Sequence, residues 1–150
     1  MDFALNFLIY MFILFPIVSI VHEFGHAFFA KLFSQKIEEI SIGMGKVIFE
    51  KNLLSIRSAY FAFGWVTLNE DMEGKMTRFQ TSLFLLGGII FNLATAVILD
   101  IFTGYEFFYF RNYVDSFIFL SYLQVLNLLP VTLIHGESDG KQMISRVLKS

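Results

Sequence analysis

The sequence predicts an all-α membrane protein, in which three transmembrane helices carry a small β-rich insertion between the first and second, as a single domain over residues 1–150. Three observations predict it. Of the 150 residues, 56% are hydrophobic and 16% charged, where a soluble domain carries about a quarter charged residues. Three apolar runs each approach the roughly 20 residues a helix needs to cross a bilayer. Lysine and arginine gather in some of the segments between the runs and are sparse in others, an asymmetry that orients membrane proteins.

The first run starts at Phe3, reaches Val21 without a charge, and passes through His22, Glu23 and His26 to Phe33. Nothing basic precedes it and no small-x-small cleavage site follows, so a retained helix is expected rather than a signal peptide. Pro16 should bend this helix by freeing the carbonyl of Phe12, and Lys31 should snorkel to the interface. Residues 34–78 follow, rich in β-branched and aromatic side chains; "KVIFEKNLLSIR" reads as two short strands around a turn near Lys51 and Asn52. This insertion either lies on the membrane surface or enters the membrane. The second run spans about Phe79–Phe102, with Gly87 and Gly88 suited to close helix approach. The third spans about Tyr113–Ile134.

Lys36, Lys46, Lys51, Arg57, Lys75 and Arg78 follow the first run, and Lys141, Arg146 and Lys149 follow the third, whereas the short connection after the second holds only Arg111. The insertion and the tail are therefore expected in the cytoplasm of a multi-pass protein of the cell membrane. The aromatic cluster of Tyr105 and Phe107 to Phe110 would then form a belt at the outer interface. A net charge of -2 gives no basis for a nucleic-acid partner. The absence of cysteine excludes disulfides and thiolate metal sites, so any metal is held by nitrogen and oxygen.

His22, Glu23 and His26 form H-E-x-x-H inside an otherwise apolar run. On a helix, residues four apart lie about 40° from each other around the axis, so both imidazoles reach one ion from one face. Glu23 lies beside them, free to act on a water as general base rather than as a ligand. Carrying one charged side chain at a membrane helix centre costs about 2.5–3.5 kcal/mol, so such residues mark function by default. Catalytic zinc takes three protein ligands and leaves one position open. The depth of the trio, about 28 Å of helix beyond Phe3, nominates the stretch after the third run, with His135, Glu137 and Asp139, for the third.

These features together resemble the site-2 proteases, the intramembrane zinc metalloproteases. The likeness rests on "HEFGH", on the β-rich "ISIGMGKVIFEKNLLSIRSAYFAFGWV", on "GGIIFN" in the second run, and on "NLLP" followed by "DG" near the end. Two departures stand out. Ile89 occupies the place of the family's proline, and the family's spacing from Asn127 falls on His135, whereas the Asp-Gly pair comes four residues later at Asp139 and Gly140. Either residue can bind zinc; the Asp-Gly pair favours Asp139. The resemblance implies a zinc-dependent endopeptidase cleaving membrane-spanning or membrane-bound peptides, with Glu23 as base and His22, His26 and Asp139 on the metal. Asn92 and Asn127 would orient the substrate backbone or support the zinc site, although interhelical hydrogen bonding accounts for them as well. The partners implied are a membrane protein or peptide substrate, the lipid bilayer and a regulatory membrane protein. The alternatives are a non-catalytic binding, chaperone or immunity factor of the same fold, and a membrane protein that handles metal without cleaving anything.

Overall fold

A chain in lipid must satisfy its backbone within itself, and the first apolar run does so as one long helix, α1 (Phe3–Leu32). The computed structural model describes residues 3–69, 76–103, 111–133 and 136–148; His135 and the aromatic cluster lie outside them. Pro16 brings no N–H to the helical ladder. The strain appears just before it as a widened π turn over Tyr10–Leu14, where the Phe15 N–H donates to the Tyr10 carbonyl. The expected bend is thus taken up by a change of helical pitch.

The insertion folds as two strands of 15 residues each, β1 (Ile37–Lys51) and β2 (Leu54–Leu68), paired antiparallel around a turn at Asn52. The turn is where the sequence places it, but the strands are much longer than expected and each is bent double. Gly43 (φ 84), Gly45 (φ 87) and Phe63 (φ 57) make the bends; left-handed backbone is cheap for glycine and rare for phenylalanine. Ile40, Ser41 and Ile42 therefore pair on one side with Val66, Trp65 and Gly64 and on the other with Leu54, Ser55 and Ile56. Arg57 ties the layers together: it donates to Ser41 Oγ at 2.7 Å, pairs with Glu39 at 2.9 Å and lies 4.7 Å over the Trp65 ring. The Phe61 ring meets that of Phe12, ten residues before His22 on α1, at 4.9 Å.

Two further helices, α2 (Arg78–Thr103) and α3 (Arg111–Leu123), follow. By length and composition two described helices could cross a membrane, Phe3–Leu32 and Arg78–Phe102. The third run is not one helix to Ile134. α3 tightens into a 3-10 turn over Gln124–Leu128, and Leu129 turns extended (φ -65, ψ 131), as the residue before Pro130 must. A two-rung hairpin, β3 (Thr132–Leu133) with β4 (Gly136–Glu137), then leads into a short helix, α4 (Asp139–Met143).

α1 and α2 cross backbone to backbone. A Cβ on Gly87 would lie 2.6 Å from the Gly25 carbonyl oxygen, so glycine at both positions sets the approach. Beside the crossing, Ala27, Ala30, Ile37, Leu68, Phe84 and Leu85 form the buried apolar core. Outward, Ile13, Phe24 and Phe28 on α1 and Val97, Ile98 and Ile101 on α2 stand exposed, an apolar surface that suits lipid rather than water.

Candidate metal centre

Helical period puts His22 and His26 on one face of α1, their ring centroids 4.8 Å apart. Asp139 arrives from the other end of the chain. The four residues separating it from the family's spacing are absorbed where the chain doubles back through β3 and β4. Ser138 closes that loop: its hydroxyl donates to the Leu129 carbonyl at 2.6 Å and caps α4 by accepting from the Lys141 N–H at 3.3 Å. Gly140 then packs its Cα against the Leu128 carbonyl, where no Cβ fits. This close approach is a physical reason for glycine after the aspartate.

Asp139 Oδ2 lies 3.1 Å from His22 Nε2 and 3.5 Å from His26 Nε2, and the three potential donor atoms all fall within 4.8 Å of one another. Tetrahedral zinc with bonds of about 2.0–2.1 Å needs its ligand atoms roughly 3.3 Å apart, so these residues fit such an ion. All three are buried, Asp139 being the most exposed at 8%. Burial by itself pushes the Asp139 carboxyl up, but hydrogen bonds from His22 and His26 and their nearby charge outweigh it and hold the group well below the usual carboxylate range.

Each imidazole is also gripped from behind. His26 Nδ1–H donates to the Phe84 carbonyl at 2.7 Å, which turns Nε2 toward the centre. Asn92 Nδ2 lies 3.2 Å from His22 Nδ1, and a Cβ on Gly88 would lie 2.5 Å from the His22 ring. Asn127 Nδ2 donates to Asp139 Oδ2 at 2.6 Å and sits 3.3 Å from His22 Nε2.

The centre opens on a cavity of about 480 Å³, lined by His22, Glu23, His26, Asn127 and Asp139 and walled by Phe63 to Val66 of β2. That volume lies within the range usual for ligand sites. Of the two asparagines singled out by sequence, Asn127 lines the cavity, whereas Asn92 is 0% exposed and lies behind His22. Glu137 also lines it, with Oε1 3.4 Å from Lys141 Nζ.

Two participants are not evident in the motif. Gly64 comes so near Glu23 that a Cβ there would lie 2.8 Å from its Cγ and 2.9 Å from its Oε1. The strand that walls the cavity thus also packs against the glutamate. A glycine inside a strand pattern is the one signal that marks such an approach. The Phe84 carbonyl is a backbone group and leaves no mark in sequence.

The model of Peptidase family M50 matches residues 10–120, a span that holds His22, Glu23, His26 and Asn92 and ends before Asn127. The chain is 29% identical over 138 residues to the uncharacterized membrane protein YwmF of Bacillus subtilis (strain 168), covering 91% of this chain and 85% of that one.

Proposed function

The chain belongs to Peptidase family M50, the site-2 protease family, and from that premise we propose that it is a zinc-dependent intramembrane endopeptidase. The observation that carries the proposal is the convergence of His22, His26 and Asp139 on one point beside Glu23, in a cavity walled by a strand. His22, His26 and Asp139 would hold the zinc. An ion bound there would supply Lewis acidity to polarise the scissile carbonyl and to ease loss of a proton from the attacking water. Glu23 accepts the proton of that water and passes it to the leaving amine, so the peptide gains OH at carbon and H at nitrogen. Asn127 lines the cavity beside Asp139, and the amide N–H that Asp139 does not take can bond the carbonyl oxygen as charge develops on it.

Attack requires an exposed backbone, so a substrate helix must unwind locally. The segment around Gly64 to Val66 offers the extended stretch a strand edge beside Glu23, and pairing there would present one peptide bond to the base. Phe61 lies on Phe12, well inside the first apolar run, so the bent hairpin sits at membrane depth alongside α1. α3 and its 3-10 turn are together about 30 Å long, enough for a third span, and the lysine and arginine distribution supports an N-terminus outside with the site toward the cytoplasm. Substrate, bilayer and a regulatory membrane protein are the partners in this reading. A non-catalytic binding, chaperone or immunity factor of the same fold is the second reading, favoured by the four extra residues before Asp139.

Purified protein should cleave a model membrane peptide, and a zinc chelator should abolish the cleavage. Glu23→Gln should bind zinc normally and lose activity by roughly 100-fold or more. Cleavage by the Gln variant at the parental rate would rule out this mechanism.

A further inference from the structure

A histidine that binds a metal through one ring nitrogen keeps its proton on the other, and the acceptor of that proton fixes the ring. For His26 the acceptor is the Phe84 carbonyl. For His22 the corresponding place, 3.2 Å from Nδ1, is held by the carboxamide of Asn92. Asn92 is 0% exposed, and its Oδ1 has no hydrogen-bond partner among the described residues. Gly88 closes the other side of the imidazole, so the ring has little room to swing away.

We infer that Asn92 is a positioning residue for the zinc ligand His22: its carboxamide oxygen accepts the His22 Nδ1–H and so keeps the Nε2 lone pair on the ion. A half-turn of a carboxamide exchanges oxygen and nitrogen while leaving the shape of the side chain almost unchanged. Either orientation pairs one amide group with Nδ1 and leaves the other without a described partner. The imidazole decides between them. With nitrogen toward Nδ1, a neutral His22 carries its proton on Nε2 and has no lone pair for zinc. With oxygen toward Nδ1, Nε2 is free. Asn92 therefore acts through His22 and does not touch the substrate, as its place behind the ring requires.

The inference rests on zinc binding at this site but not on proteolysis, and its test reads zinc. Asn92→Asp keeps the shape and the acceptor and gives up the donor; Asn92→Leu keeps the bulk and gives up both. In the full chain in detergent micelles, the Leu variant should bind the zinc ion roughly 10- to 100-fold more weakly, and the Asp variant within about threefold of the parent. Helical content and gel-filtration profile should be alike in all three. The chain has three histidines, so 15N-histidine labelling of the unmutated, zinc-loaded protein reads the tautomer directly and depends on no variant. A protonated Nδ1 on His22 is expected. An unprotonated His22 Nδ1, equal zinc loss in the Asp and Leu variants, or parental affinity in the Leu variant would each overturn the assignment. If the parent binds no zinc, the metal reading fails and this inference fails with it. If it binds zinc but cleaves nothing, only the protease reading fails.

Discussion

At the scale of single residues, Glu23 and Asp139 are both buried carboxylates in one cavity, and their surroundings divide the work between them. Asp139 turns Oδ2 to the centre, 3.1 Å from His22 Nε2, and accepts from Asn127 Nδ2 on the same oxygen. Glu23 stands against the hydrogen-bearing Cα of Gly64, which leaves it next to where an extended substrate would lie. Asp139→Asn should lower zinc affinity by more than the roughly 10- to 100-fold that losing a ligand's supporting hydrogen bond costs, since a neutral amide is a poor zinc ligand. His135→Ala should be mild. Zinc content of the two purified variants decides, and the reverse pattern would move the third ligand to His135. His22, Glu23 and His26 were legible because helical period alone puts them together. Asp139 was legible only through the Asp-Gly pair, since no local period links it to residues more than a hundred positions away. The role of the Phe84 carbonyl arises from tertiary contact and could not be read, and Gly64 showed only as a glycine inside a strand pattern.

Among the elements, the bent hairpin departs most from its sequence reading. Strand alternation in residues 34–78 is broken at Gly43, Gly45 and Phe63, and a break in period two looks like the end of a strand. The structure shows bends instead, and the two strands continue through them. The doubling pairs both Ile40 and Lys51 with Leu54, one on each side, and carries Phe61 back to Phe12. Because the chain has no native cysteine, single cysteines can map this. Lys51→Cys should react with a water-soluble maleimide, while Phe61→Cys should stay unlabelled until the membrane is dissolved. Equal labelling of both in intact membranes would put the hairpin on the surface. The helix break after Leu128 was, by contrast, written in Pro130. The third apolar run continues past the proline, but its helix does not.

For the whole molecule, the apolar runs and the charge asymmetry carried the membrane assignment, because lipid imposes helix on any run of that length. Asn112→Cys should be labelled from outside intact cells and Lys51→Cys only after the cytoplasmic face is opened; the reverse pattern would invert the orientation. What no reading of separate segments conveys is the order in which the parts become available. His22 and Asp139 are 117 positions apart. At a synthesis rate of about 5–20 residues per second, the two histidines emerge roughly 6 to 23 seconds before the aspartate that completes their set. Throughout that interval α1 carries two of the three groups that converge. A nascent chain arrested before α4 lacks Asp139 and so has no means of bringing the three donor groups together.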